Sequence, residues 1–235
     1  MRVRWVGLPR QPWFWALALL APLALVPAID IAVSRLFFLS DQHIFLLRSH
    51  PFGEFVRKTL PVILFAVAGG FALLGVAAGL RRRPLLGVSP RSALFVVLAL
   101  ALGPGLVVNV VFKDNWGRPR PSTIAEFGGP NHYVSPLLPS DQCPDNCSFP
   151  SGHASLGFWL VAPALLAPVG QRRRWVAAAL AFGLAVGVVR IAQGGHFLSD
   201  VAFSGVMVTG LSQWLKRLIL GDAERARENN HHPVT

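Results

Sequence analysis

The sequence predicts an all-α polytopic membrane protein, a six-transmembrane-helix bundle with its polar chemistry gathered at one border of the membrane. Of 235 residues, 53% are hydrophobic and 14% charged, whereas soluble domains carry about one quarter charged residues. Six apolar stretches reach the roughly 18 residues that suffice to cross a bilayer. Three polar clusters stand beside the ends of those stretches: Lys113 to Pro121, then Pro150-Ser151-Gly152-His153, then Arg190 with His196 and Asp200. Ionisable residues are costly near hydrocarbon, so such clusters mark a functional site by default. One bundle consumes most of the length, so a single domain over residues 1–235 is expected.

The first stretch, roughly 13–33, has the basic lead and apolar core of a signal peptide. Its core runs to about twenty residues, and Pro27 and Asp30 leave no small-x-small cleavage site, so a retained span is expected. Residues 34–58 mix Leu36, Phe37, Phe38, Phe45, Leu46 and Leu47 with Arg35, Asp41, His43, Arg48 and Glu54. Such a segment either lies in the headgroup plane or packs on the bundle as a partly helical connection. The next spans are roughly 59–80 and 92–112. The segment from 113 to 150 is rich in Pro, Gly, Ser and Asp, and its length points to function because a polar cluster stands at each end. The last three spans are roughly 152–170, 175–192 and 198–218. Gly183 and Gly187 form a small-xxx-small pair suited to close helix packing. The tail from Gly221 to Thr235 is polar, and its His231-His232 pair reads as solvated.

The net charge of +11 invites a nucleic-acid partner, but its distribution argues against one. Arg2, Arg4, Arg10, Arg81, Arg82, Arg83, Arg91, Arg172, Arg173, Arg174, Lys216, Arg217, Arg225 and Arg227 fall on one side of the predicted spans, with only Asp222, Glu224 and Glu228 as acids. The other side sums to zero. By the positive-inside rule both termini are cytoplasmic and all three polar clusters face outward. A nucleic-acid reader needs its arginines interleaved with polar or aromatic groups on a soluble face, and no such face is predicted.

His196 and Asp200 stand four residues apart at the start of the last span, so both side chains share a helical face. A carboxylate there can accept a hydrogen bond from one imidazole nitrogen and leave the other free as nucleophile or base; the same pair also serves as a purely structural contact. Ser151-Gly152-His153 opens the fourth span, where free N–H groups and the helix dipole favour an anion. Read more plainly, it is an N-cap serine beside an interfacial histidine. Lys113, Arg120 and Arg190 add three cations, two of them guanidinium forks matched to phosphate oxygens. Arg118 is an uncertain member, able instead to meet lipid headgroups or Asp114. Cys143 and Cys147 lie in the outward loop, where a disulfide stiffening the approach to Ser151 is expected, free thiols being the alternative; as a metal pair they lack nearby completing ligands.

Lys113-x6-Arg120-Pro121, Pro150-Ser151-Gly152-His153 and Arg190-x5-His196-x3-Asp200 resemble the three-part signature of the type 2 phosphatidic acid phosphatase superfamily, over about residues 59–218. One departure is Val189, where the family usually has serine before the arginine. The resemblance implies a six-helix fold and a lipid phosphatase that needs no metal and no cofactor. His196 would attack phosphorus, Asp200 would orient it, and His153 would protonate the departing oxygen and later help water cleave the phosphohistidine. Lys113, Arg120, Arg190, Ser151 and the Gly152 amide would hold the remaining oxygens. Substrates implied are undecaprenyl pyrophosphate, phosphatidylglycerophosphate, phosphatidic acid or lipid A in a bacterial inner membrane. The cysteine-bearing loop running into Ser148-Phe149-Pro150 is loosely similar to the lipid A phosphatases. A lipid-to-lipid phosphotransferase shares the same chemistry. A haloperoxidase is disfavoured by the spans, and a non-catalytic lipid transporter or channel by the absence of polar residues at mid-membrane.

Overall fold

In a computed structural model the backbone is described for residues 12–231 and side chains for residues 14–221. The side chains of Arg2, Arg4, Arg10, Asp222, Glu224, Arg225, Arg227, Glu228 and the His231-His232 pair, used above for charge placement and the tail, lie outside the described residues.

The chain is mostly helical. The first apolar stretch is α1 (Pro12–Leu25) and α2 (Pro27–Arg35), bent by 81°. Pro27 has no N–H to give and pushes Val26 into a non-helical conformation (φ −119°, ψ 87°). The bend accompanies a fully buried Asp30. Within residues 34–58 Phe45 and Val56 are buried while Leu36, Leu46 and Phe52 stay exposed, and part of the segment is strand. β1 (Phe38–Leu39) and β2 (Ile44–Phe45) form a small antiparallel hairpin. Phe45 is buried beside Ile124, Phe127 and Phe197.

From Pro51 the chain is helical to Leu80, as α3 (Pro51–Glu54), a π-helical turn (Phe55–Thr59) and α4 (Leu60–Leu80). His50 caps the start by accepting the Phe52 N–H at 3.2 Å. A tight turn leads to α5 (Pro90–Leu100), capped by the Ser89 hydroxyl on the Ser92 N–H. The same helix runs on as a π-helical segment, Ala101–Lys113. There Asn109 Nδ2 donates to the Pro104 carbonyl at 2.7 Å, satisfying a backbone group inside the widened turns. Such insertions are frequent near functional sites, and this one ends on Lys113.

Residues 114–150 are irregular but tied down. Trp116 Nε1 donates to the Pro136 carbonyl at 2.8 Å, and Ser140 Oγ to the Gly117 carbonyl at 2.6 Å. Gly117 has φ +64° with the Ser140 carbonyl where a Cβ would stand, so glycine is required. Then come α6 (Gly152–Trp159), α7 (Val161–Ala164), α8 (Val169–Ala192) and α9 (Leu198–His231). Gly183 meets Phe158 of α6 and Gly187 meets Val201 of α9, the close packing that small residues permit.

Among the described residues three helices are long and apolar enough to cross a membrane, Pro51–Leu80, Pro90–Lys113 and Val169–Ala192, or four if the bent α1–α2 pair is one span. The expected six are therefore not reproduced by length and composition. The stretch 152–170 breaks at Leu160, and Pro163 and Pro168 follow. Its first part, α6, is a core helix with Trp159 fully buried and donating to the Val96 carbonyl at 3.0 Å. The stretch 198–218 is helical throughout, but Ser199, Asp200, Ser204, Ser212 and Gln213 dilute its hydropathy.

Candidate active site

Lys113 ends the π-helical segment, Ser151 caps α6, Arg190 lies in the last turn of α8 and Asp200 in the first turn of α9. Arg81 to Arg83 and Arg172 to Arg174 fall at the opposite ends of α4 and α8. The helix ends carrying the motifs are joined directly. The Ser151 N–H donates to the Asp200 carbonyl at 3.2 Å, and Ser204 Oγ donates to the Ser151 carbonyl at 3.0 Å. Gly152 fits where a Cβ would stand 2.9 Å from Asn109 Oδ1 and 3.4 Å from Lys113 Nζ. The charges of Arg190 and Lys113 are felt at both His153 and His196, and Arg120 is felt at His153, Lys113 and Arg190. All the residues singled out as catalytic or phosphate-binding thus gather at one end of the helices.

His196 is fully buried. Its Nδ1 lies 2.7 Å from the Ser148 carbonyl, which can only accept, so Nδ1 carries the proton. In the neutral ring Nε2 then holds a lone pair. Nε2 is buried with no hydrogen-bond partner among the described residues. Burial, foremost, and the nearby cations hold the imidazole down at about 3, well below the ordinary histidine range, and so neutral.

Asp200 does not hold His196 as expected. Its Oδ2 is 3.8 Å from Nδ1, beyond a hydrogen bond, while the Ser148 carbonyl fixes the tautomer. Instead Oδ2 accepts from Ser148 Oγ at 2.5 Å and from the Phe197 N–H at 2.7 Å, and Oδ1 is paired with Arg118. The carboxylate thus holds the Ser148 side chain and the Phe197 N–H next to the imidazole and adds negative charge beside it.

Arg118 fits none of the three readings given it: cage member, headgroup contact or partner of Asp114. It is fully buried and all five N–H groups are used. Nε donates to the Val134 carbonyl at 2.7 Å, Nη1 to Ser199 Oγ at 2.8 Å and to Asp200, and Nη2 to Asp30 at 2.9 Å and Tyr133 Oη at 3.1 Å. The guanidinium also lies 4.4 Å from the Phe197 ring centre. Asp30 accepts in turn from the Ser199 N–H and hydroxyl at 2.8 and 2.5 Å and from Tyr133 at 3.0 Å. Asp30, Tyr133, Ser148 and Ser199 were given no part in the site by the sequence. An acid inside an apolar stretch was the available signal for Asp30, and Ser148 stood in the loop similar to the lipid A phosphatases; the other two carry none.

The remaining cations are less engaged. Among the described residues Arg120 donates only to the Asn146 carbonyl, at 3.1 and 2.5 Å. Arg190 Nη1 meets Gln193 at 2.5 Å while its buried Nε has no partner among the described residues. Ser151 Oγ caps α6 through the Ala154 N–H at 3.4 Å, as the plainer reading had it, and keeps its own hydrogen to donate. His153 Nε2 lies 2.9 Å from the Arg57 carbonyl. Cys143 and Cys147 are joined as a disulfide just before Ser148. Among the described residues no three His, Cys, Asp or Glu side chains form a metal-ligating group.

Compared with known families, residues 92–222 match the PAP2 superfamily, more than half of the chain. The chain belongs to the PAP2 superfamily. Three relatives are each named Lipid A 4'-phosphatase. That of Francisella tularensis subsp. novicida is 46% identical over 53% of this chain and 56% of its own length. That of Rhizobium etli is 35% identical over 56% of this chain and 51% of its own, and that of Rhizobium leguminosarum 29% identical over 93% and 97%. The chain thus spans about half the length of the first two relatives. No solved structure matches it. With its apolar helices, this PAP2 member is an integral membrane protein.

Proposed function

We propose that this PAP2 protein is a metal-independent lipid phosphatase, cleaving a phosphomonoester on a lipid headgroup through a phosphohistidine. The observation that carries the reading is a buried neutral imidazole whose Nε2 has no partner among the described residues, within reach of the Arg190 and Lys113 charges. His196 Nε2 bonds to phosphorus as the bond to the lipid oxygen breaks, and His153 delivers the proton that oxygen needs. Water, deprotonated by His153, then attacks phosphorus and returns His196 with free phosphate. Asp200 steadies the charge that develops on His196, and the Ser148 carbonyl keeps the proton on Nδ1. Lys113, Arg120, Arg190, the Ser151 hydroxyl and the Gly152 amide hold the oxygens whose charge grows in the transition state.

Because cations already supply that stabilisation, no metal is assigned. The relatives' names favour lipid A as substrate. We place the protein as a six-helix single domain in a bacterial inner membrane with both termini cytoplasmic and the site facing the periplasm, on the support of the basic residues at the helix ends opposite the motifs.

Purified protein given lipid A labelled in its phosphate, without acceptor lipid or divalent metal and with EDTA, should release inorganic phosphate. Acid-labile, base-stable label should be trapped on the wild type, and His196→Ala should show neither label nor release. Turnover in His196→Ala removes the proposed nucleophile; loss of wild-type turnover in EDTA removes metal independence. Release only on adding acceptor lipid makes the protein a phosphotransferase.

A further inference from the structure

One exposed cation lies beside this site without a role in it. Arg48 sits between β2 and α3, on a segment fastened to the site from two directions. The neighbouring Leu47 N–H donates to the Ala192 carbonyl at 2.9 Å, two residues beyond Arg190. The Arg48 Nη1 donates to Ser122 Oγ at 3.0 Å, and the Ser122 N–H donates to the Gly194 carbonyl at 3.0 Å. The guanidinium is thus braced between the loop bearing Arg120 and the turn that leads to His196. Its charge is felt at both Arg120 and Arg190.

Its ionic surroundings differ from those of its neighbours. Arg57 is held by both Glu54 oxygens at 2.8 Å, and Lys58 shares that carboxylate at 2.8 Å. Arg48 has no carboxylate partner among the described residues, only a neutral hydroxyl that engages one of its five donors. A phosphoryl group brings about −1.5 to −2 of charge, which Lys113, Arg120 and Arg190 already match. A fourth cation held in the same positive field is an unfavourable arrangement until another anion arrives.

We propose that Arg48 is a specificity residue that binds a second oxyanion of the lipid headgroup, a phosphate or carboxylate distinct from the phosphate that is cleaved. The proposal rests on the phosphatase reading and narrows it to headgroups with at least two anionic groups. Guanidinium and oxyanion form a fork of charge-assisted hydrogen bonds, and an exposed position at the site's edge suits a group that stays on the product.

The test compares wild type and Arg48→Ala on three forms of one glycolipid: one phosphate only, two phosphates, and one phosphate with an acidic-sugar carboxylate. Arg48→Ala should raise KM about tenfold, the worth of one charge-assisted bond, for one or both of the doubly anionic forms and leave kcat unchanged. The form affected identifies the second oxyanion. The singly phosphorylated form should be handled as by wild type. Ser122→Ala, which loosens the brace without removing charge, should give a smaller loss with the same selectivity and stands in should Arg48→Ala fail to fold. Equal loss on all three forms places Arg48 on the scissile phosphate, and no loss on any makes it a solvated charge; either overturns the proposal. A wild type inactive on every form refutes the phosphatase reading instead.

Discussion

Arg118 and Arg120 stand two residues apart in Gly117-Arg118-Pro119-Arg120-Pro121, yet the protein treats them in opposite ways. Arg118 has every donor spent on the protein, two of them on buried carboxylates, and no exposed surface. Burial pulls its pKa down, but Asp200 and Asp30 more than offset this and hold it above the ordinary arginine value. Among the described residues Arg120 donates to one carbonyl, and burial together with Arg48 and Arg57 pulls its pKa below the ordinary value. A guanidinium whose hydrogen bonds are complete is part of the scaffold, whereas one left short of acceptors among other cations suits the anion-binding role proposed for Arg120. Alternation along the motif delivers one of each: Arg118 turns inward toward α2 and α9, and Arg120 toward the site.

Removing each arginine should separate the two roles, beginning with the larger effect. Arg118→Ala leaves Asp30 and Asp200 as buried charges without their cation, which costs about 3–5 kcal/mol. The expected outcome is a large drop in thermal unfolding temperature in detergent, with activity lost alongside the fold. Arg118→Lys returns a charge but not the fork, so it should restore little. An Arg118→Ala protein that melts like wild type would mean that the clamp is not structural.

Arg120→Ala should do the reverse. Loss of one donor to the developing charge costs about 2.7–4 kcal/mol of transition-state stabilisation, on the order of 100- to 1000-fold in kcat. The unfolding temperature should stay put, since the group leaves only a carbonyl behind. A fall in both quantities would erase the distinction drawn here. Tyr133→Phe probes the clamp more gently. It removes the hydroxyl that accepts from Arg118 and donates to Asp30, for a stability loss of about 1–3 kcal/mol that thermal unfolding would register, with kcat falling only through loosened packing around Asp200.

The contrast also marks what a linear sequence reveals. That the proposed cage residues lie near one another was legible because most of them stand beside helix ends within short motifs, and an i, i+4 spacing already puts His196 and Asp200 on one face. The Cys143–Cys147 link likewise follows from two thiols four residues apart in one loop. The clamp was not legible. Asp30 meets Arg118 across 88 positions and Ser199 across 169, and nothing local announces such a meeting. Pro27 marked a break in the first apolar stretch, but the 81° bend depends on what packs against it. Pro163 and Pro168 were visible breakers too, hidden by averaging hydropathy over a stretch that folds as separate short helices. The link from His196 to the Ser148 carbonyl escaped for another reason: backbone acceptors have no sequence signature.

The last prediction concerns protons. His196 titrates at about 3 in the folded protein and near 6.5 once unfolded. Between those values the unfolded chain binds one more proton, so folding stability is full above about pH 6.5 and falls as the pH drops toward 3. The slope approaches about 1.4 kcal/mol per pH unit mid-window. His196→Asn removes that proton, so its unfolding temperature should fall less steeply than wild type's between pH 6.5 and 4.5. The neutral folded imidazole also predicts that ring-nitrogen NMR shifts of wild-type His196 stay unchanged across the same range. A ring that titrates near 6.5 in the folded protein would place His196 in contact with solvent, and the buried neutral imidazole on which the proposed nucleophile rests would be lost.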